Sequence, residues 1–148
     1  MEKNIQTFED LQCWRACRDL RRFIANTVVP GLPRYEKGRI GDQMLRAARS
    51  TTANIAEGYG RFHYMDNAKF CSNARGSCWE VLDHLITARD ENLIALDEFE
   101  NGKQLVHQAI KILNGYMKYL YAQSKKGKSV RDEIGGYGEH EAPGFLPG

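Results

Sequence analysis

Four cysteines are the side chains with the widest chemistry in this sequence, because four thiolates can bind a zinc ion. Cys13 and Cys17 lie four residues apart, and Cys71 and Cys78 lie seven apart. Neither pair has the C-x-x-C spacing of a zinc ribbon or knuckle. Three of them fall on apolar faces of predicted helices, where a thiol packs as a small hydrophobic side chain: Cys13, Cys17 and Cys78. The pattern predicts reduced, buried thiols and neither a metal nor another cofactor.

Histidine and carboxylate side chains give no stronger catalytic pattern. The four histidines are dispersed along the chain, at His63, His84, His107 and His140. Glu80 and His84 are spaced to touch on one helix face, and such a pair is more often a surface contact than a catalytic one. Nucleophile elbows, Walker loops and dinucleotide-binding fingerprints are absent from the sequence. We therefore expect a protein that is not an enzyme.

The segment from Gln43 to Arg61 is predicted to be helical, yet it carries two stripes side by side. The apolar stripe consists of Ile40, Met44, Ala47, Ala48, Thr51 and Ile55. The polar stripe consists of Gln43, Arg46, Ser50, Asn54 and Glu57. These short, mixed polar side chains are typical of a helix in close contact with another helix, another subunit or a ligand.

The next predicted helix carries a matching polar row, Asn73, Ser77 and Glu80. Charged groups such as Arg46 and Glu57 would be costly at the centre of a bundle unless paired, whereas an interface can satisfy them and stay partly wet. We predict that the two rows form a polar network between the second and third helices or between subunits. Gly76 is predicted to let the two backbones approach closely there.

Arginines crowd the first predicted helix. Arg15, Arg18 and Arg22 share one outward face, with Arg21 and Trp14 at its flank. Lys111, Lys118 and the lysines from 125 to 128 are predicted to extend this basic surface. Guanidinium groups suit phosphate and a tryptophan ring can stack on a base, so the surface fits nucleic acid. A solvated basic face with Asp19 as local partner is the competing interpretation.

Four amphipathic helices position these residues. They are predicted over about Leu11–Thr27, Lys37–Gly60, Met65–Asp90 and Asp97–Gln123. Asp10 and Asp97 are the candidate N-caps, and glycines 58 and 60 are expected to end the second helix in a left-handed C-cap. Short connections between such helices favour an all-α, antiparallel up-down-up-down four-helix bundle over residues 1–123. Residues 124–148 contain six glycines and two prolines and are predicted to be a flexible tail that docks through Phe145 or Leu146.

Composition agrees with one soluble domain. The chain has 148 residues, 42% of them hydrophobic and 27% charged, with a net charge of +2. That charge is too small to indicate nucleic acid by itself, so the argument rests on where the charges lie. No apolar run approaches the roughly 20 residues of a membrane span, and the N-terminus has no signal-peptide core. The expected location is the cytoplasm, with no membrane partner.

The motif positions resemble those of the bacterial four-helix-bundle family named after the 23S rRNA intervening-sequence protein. The residues that carry the resemblance are Phe8, Leu11, Trp14, Gln43, Arg46, Ser50, Asn54–Gly58, Arg61, Phe70, Ala74, Ser77, Glu80, Leu85 and Ala88. The resemblance covers about residues 5–122. It departs at Thr51-Thr52, where the family often has an apolar-Pro pair, and in the tail.

The resemblance implies an antiparallel bundle that assembles into a ring-like homo-oligomer, typically a pentamer. It attaches no enzymatic activity. A related branch consists of accessory proteins of diversity-generating retroelements, which bind nucleic acid and the reverse transcriptase. The implied partners are therefore a second copy of the chain, RNA or DNA, and a reverse transcriptase.

Two functions follow as expectations. The first is a non-enzymatic oligomeric bundle that binds RNA or another nucleic acid through a basic surface of Arg15, Arg18, Arg21, Arg22, Lys111 and Lys118. The second is a protein–protein adaptor, for example for a reverse transcriptase, with Trp14 and the tail as docking features.

Overall fold

The structure of the protein is a computed structural model that describes residues 4–127. Its helices are α1 (Gln12–Phe23), α2 (Val29–Gly31), α3 (Arg34–Lys37), α4 (Ile40–Tyr59), α5 (Tyr64–Asp90) and α6 (Leu96–Lys125). The four long ones, α1, α4, α5 and α6, correspond to the four predicted helices. Most of the predicted tail, with Lys128, Arg131, Phe145 and Leu146, lies outside the described residues.

Contacts between α4 and α5 run antiparallel. Ser50 meets Ser77, and one end of the helix pair brings Gly58 against Asn67. Residue numbers therefore rise along α4 while they fall along α5. The connection between these helices has only four residues, which is typical of antiparallel neighbours.

The α5–α6 pair is antiparallel as well. Arg75 bonds Asn114, while Trp79 packs on His107. Helix α1 contacts both α4 and α6 and so closes the bundle. The predicted antiparallel four-helix bundle is confirmed.

The N-terminus of α1 differs from the prediction. Asp10 does not cap α1, whose N-cap position is Leu11. Its carboxylate instead accepts hydrogen bonds from the backbone N–H groups of Gln6 (2.9 Å) and Thr7 (3.2 Å). These bonds close the 3-10 turn Phe8–Asp10, and the bond from Gln6 is the main reason that the pKa of Asp10 is lowered. Asp97 is likewise no N-cap: α6 begins after Ala95.

Helical conformation also continues past the predicted end of the first helix at Thr27. A wide π-helical turn, Ile24–Val28, leads into α2, where Pro30 occupies a first-turn position. Proline is tolerated there because a first-turn N–H has no partner within the helix. Val28 and Leu32 are buried on either side, so apolar packing holds this irregular segment on the bundle.

The glycines have structural roles that differ from those predicted. Gly60 has φ −78°, so α4 does not end in a left-handed cap. Gly76 is exposed, and a Cβ there would meet nothing within 4 Å, so it does not allow a close approach. The close approaches are at Gly58 and Gly102, where an added Cβ would lie 2.7 Å from Asn67 Oδ1 and 2.8 Å from Leu85 Cδ1.

The core lies between the four long helices. Its fully buried aliphatic side chains include Leu20, Ile24, Met44, Ile55, Val81, Leu85, Leu113 and Leu120. Each contributes roughly 1.5–3 kcal/mol by leaving water. The apolar stripe predicted for α4 is buried as expected. Its packing presents the polar stripe of the same helix to the seam with α5 and to the outer surface of the bundle.

Candidate nucleic-acid interface

Two of the predicted α1 arginines are held by their own chain. The Arg15 Nε donates to the Glu9 carbonyl at 2.9 Å, and its guanidinium lies 3.6 Å from the Asp10 carboxylate. Arg18 lies over the Trp14 ring, 5.2 Å from its centroid. Trp14 is only 9% exposed. The ring therefore packs into the protein and cannot serve as the base-stacking or docking platform predicted for it.

The other two arginines of α1, Arg21 and Arg22, differ from each other. Arg21 donates to the Thr52 hydroxyl of α4 at 2.8 Å, so it joins two helices. Arg22 is exposed. The predicted arginine face thus divides into three side chains with contacts to their own chain, of which Arg15 is also exposed, and the exposed Arg22.

The outer face of α6 carries a more regular row of cations. Lys111, Lys118 and Lys125 recur every seven residues, and all three are exposed. Residues 101–125 contain no aspartate or glutamate, whereas Asp97 and Glu98 stand in the first turn of α6. Acidic groups near the N-terminus and basic groups near the C-terminus also suit the helix dipole. Beyond its first turn, α6 therefore carries a net positive charge.

Part of this row lines an open groove of about 550 Å³ between α5 and α6. The groove is lined by Arg75, Asn114, Met117, Lys118, Tyr121, Ala122 and Lys125. Arg75 reaches across from α5, and its Nη1 donates to Asn114 Oδ1 at 2.7 Å. Tyr121 is 40% exposed. We call this site the basic groove; it combines three cations with an accessible aromatic ring and has no carboxylate in its lining.

Lys111 lies elsewhere, at a second groove between α1 and α6. That groove has a volume of about 710 Å³, and Gln12, Cys13 and Tyr119 are among its lining residues. The structure therefore does not bring Lys111 and Lys118 into one pocket, although both lie on the outer side of α6.

Three of the eight residues of the predicted polar network bond to one another within the chain. The Ser50 and Ser77 hydroxyl oxygens are 2.9 Å apart across the α4–α5 seam. The Asn54 amide donates to the carbonyl and to the hydroxyl of Ser50, both at 2.9 Å. These three side chains are half-buried, so their bonds lie at the edge of the core.

The remaining members of the two polar rows point to the outside. Gln43, Arg46, Glu57, Asn73 and Glu80 are exposed. Glu57 pairs with Arg61 at 2.9 Å, and Glu80 contacts His84 at 3.3 Å as its spacing predicts. We call this exposed set the outer polar row.

All four cysteines are free and buried, which confirms the predicted packing. Cys17 Sγ lies 3.8 Å from Cys78 Sγ. Desolvation by burial raises the pKa of Cys71 to about 12, and the contact with Cys17 together with burial raises that of Cys78. Such thiols stay protonated and unreactive. Within residues 4–127, no cluster of three or more His, Cys, Asp or Glu side chains could hold a metal ion.

Sequence reasoning missed Arg75 and Tyr121. The signal for Tyr121 was its spacing, three residues after Lys118 and four before Lys125, which places all three on one helix face. Arg75 had no such signal, because its approach to Asn114 depends on how α5 packs against α6.

The fold and the site define a class of protein: an antiparallel helical bundle with a basic outer surface. Residues 9–115 match the family described as 23S rRNA-intervening sequence protein. The chain therefore belongs to this family. No curated protein matches the sequence. Among the helices of the described part of the chain, none is long and apolar enough to cross a membrane.

Proposed function

We propose that this protein is a non-enzymatic module that binds RNA electrostatically through the outer surface of α6. The observation that carries the proposal is the run from 101 to 125, which has four lysines and no acidic residue. This run of α6 therefore supplies no carboxylate of its own to neutralise the exposed Lys111, Lys118 and Lys125. The family description, with its reference to 23S rRNA, supports RNA as the nucleic acid.

The mechanism is neutralisation of phosphates with little reading of base edges. Each lysine that meets a phosphate releases condensed counterions, so binding weakens as salt rises. Phosphate contacts fix the position of the protein but carry no sequence information. Arg22 on α1 is the arginine best placed to add a contact, because it is exposed and, unlike the exposed Arg15, is not held by a backbone carbonyl and a carboxylate.

The experiment is a titration of a structured rRNA fragment at about 50 mM and about 200 mM salt. The variant Lys111→Gln/Lys118→Gln/Lys125→Gln is compared with Arg34→Gln/Lys37→Gln/Arg39→Gln, which removes the same charge from exposed residues near α3. The α6 variant should bind weakly and should lower the slope of log affinity against log salt by about 0.7 to 0.9 per lost contact. Absence of binding by the wild type at low salt contradicts the proposal, and so does an equal loss in both variants.

The α1 arginines are tested separately. Arg22→Gln should weaken RNA binding without affecting the free energy of unfolding, because the side chain is exposed. Arg21→Gln should instead lower the free energy of unfolding, by about 1–3 kcal/mol, because a charged hydrogen bond to Thr52 is lost. If substitution of each of the four arginines weakened RNA binding and left the free energy of unfolding unchanged, the division of this face into internal and external contacts would be wrong.

We also propose that the chain assembles into a homo-oligomer, with five subunits as the expected number. The outer polar row supports this, because charged and amide groups beside small residues suit an interface that is partly wet. It lies on both sides of the half-buried Ser50–Ser77 contact, so the α4–α5 seam would continue from one subunit to the next.

A protein-binding role is the second candidate. Trp79 and Ile86 are 46% and 41% exposed on α5, and large apolar side chains of this kind often mark contacts with a partner. A reverse transcriptase is the partner class that we expected. Capture of partners from nuclease-treated cells separates the two functions, since a protein partner survives the nuclease whereas an RNA-bridged one is lost.

A further inference from the structure

The basic groove has the composition of a site for one nucleotide rather than for phosphate alone. Arg75, Lys118 and Lys125 bring three positive charges to a lining that contains no carboxylate. Like charges repel each other, so an anion bound among them lowers the free energy of the site. The guanidinium of Arg75 is particularly suited to a phosphate, because its planar fork offers two parallel donors.

Arg75 is also held in place. Its Nη1 donates to Asn114 Oδ1 at 2.7 Å. Arginine has five N–H donors, and this bond uses one of them. Asn114 therefore acts as a positioning residue that keeps the guanidinium at the groove and leaves other donors for a ligand.

Tyr121 adds an aromatic ring, which a simple phosphate site lacks. It stands one turn from both Lys118 and Lys125 on the same face of α6, and it is 40% exposed. An accessible aromatic ring beside cations is the combination that binds single-stranded nucleic acid, with bases stacked on the ring and phosphates beside the charges. In a duplex the bases are already stacked on each other and are not available to the ring.

We infer that the basic groove binds an unpaired nucleotide of RNA, with its base on Tyr121 and its phosphate at Arg75 and the two lysines. This inference rests on the proposed RNA-binding function and makes it more specific. It predicts that the protein prefers loops and single strands to continuous duplex. The volume of about 550 Å³ is within the usual range for a small-ligand site.

The test uses fluorescence anisotropy with the full chain and two labelled RNAs: a single strand of about ten uridines and a duplex hairpin of similar charge. Tyr121→Ala is compared with Tyr121→Phe, which keeps the ring. Tyr35→Ala is the matched control, because Tyr35 is 67% exposed on α3 and far along the chain from the groove.

Tyr121→Ala should weaken binding of the single strand by about 5- to 150-fold and leave duplex binding nearly unchanged. Tyr121→Phe and Tyr35→Ala should both bind as the wild type does. Asn114→Ala should weaken the single strand as well, and Arg75→Lys should do so although its charge is kept.

Wild-type affinity of Tyr121→Ala for the single strand would overturn the nucleotide site while leaving RNA binding by α6 intact. An equal loss on single strand and duplex would also overturn it, because stacking on an unpaired base could not be the cause. Absence of binding of either RNA by the wild type would overturn both proposals together.

Discussion

At the scale of single residues, internal partners decide which cations face a ligand. Arg18 and Arg21 have the residue type that suits phosphate, but one lies over Trp14 and the other bonds Thr52. Lys118 and Lys125 are less specialised side chains, yet they are exposed at the basic groove. We therefore expect the exposed lysines to contribute more to RNA binding than the contact-making arginines of α1.

Cys71 should make the protein less stable in alkali. Burial raises its pKa to about 12, whereas the thiol of an unfolded chain titrates near about 8.5. Its stabilising contribution is complete below the unfolded pKa and is lost as pH rises from about 8.5 towards about 12, because only the unfolded chain releases the proton. The free energy of unfolding should fall there by about 1.4 kcal/mol per pH unit on account of this one group.

Urea unfolding of the wild type and Cys71→Ala across this pH range measures the effect. The slopes of the free energy of unfolding against pH are compared, because alanine also changes core packing and so shifts the free energy of unfolding at every pH. Cys71→Ala should have the shallower slope, although the raised pKa values of Cys78 and Tyr116 leave it some dependence. Parallel slopes in the two proteins would contradict the assignment.

Ser77 should stabilise the α4–α5 seam through its hydroxyl. Ser77→Ala removes the partner of the half-buried Ser50 hydroxyl and should lower the free energy of unfolding by about 1 kcal/mol. Ser72→Ala, on the same helix, is the control and should stay within about 0.5 kcal/mol of the wild type. Equal effects of the two substitutions would mean that the serine pair adds nothing.

At the scale of elements, helix α4 serves two surfaces at once. Its apolar stripe faces the core, and its polar stripe follows the seam with α5 and the outer surface. Small residues make this possible, because α5 packs directly against Gly58. The motif from Asn54 to Gly58 is therefore structural: the asparagine bonds Ser50, and the glycine makes room for the next helix.

Gly58→Ala and Gly76→Ala should have opposite effects on stability. A Cβ at position 58 would lie 2.7 Å from Asn67 Oδ1 and 2.9 Å from Phe70 Cβ, so the helices must separate. We expect a loss of about 1–3 kcal/mol in the free energy of unfolding. At position 76 the Cβ would meet nothing within 4 Å, and alanine should stabilise the helix by up to about 1 kcal/mol.

Thermal or urea unfolding of both variants tests this prediction. The pair is matched, since each change adds one methyl group within a long helix. Stabilisation by Gly58→Ala would show that α4 and α5 do not approach as closely as the structure has it.

At the scale of the whole molecule, the bundle leaves distinct surfaces for its two proposed contacts. The outer polar row lies along α4 and α5, and the basic groove lies between α5 and α6. Assembly through the first surface would therefore leave the second available to RNA. A ring of several subunits would repeat the groove and strengthen binding to one RNA by multivalency.

The assembly is tested by measuring mass in solution. The wild type should be an oligomer at micromolar concentration, and Gln43→Arg/Asn73→Arg should shift it towards the monomer by adding bulk and charge to the outer polar row. Gln104→Arg/Gln108→Arg makes a comparable change at exposed positions of α6 and should leave the mass unchanged. A monomeric wild type, or equal dissociation of both variants, would contradict an interface at α4–α5.

The sequence by itself determined the helices, their order and the buried face of each, because apolar spacing along a helix is a local property. It also determined that Glu80 and His84 touch, since four residues make one helical turn. It predicted the helix ends at Asp10, Pro30 and Gly60 incorrectly, because hydrogen bonds between nearby residues and packing override the simple sequence signals for helix ends. Only the tertiary structure decided which cations are exposed, that Gly58 rather than Gly76 is the point of close approach, and that Arg75 joins Tyr121 in one groove. These features depend on contacts between helices far apart in the chain. The spacing of residues along one helix does not determine which side chains of another helix they contact.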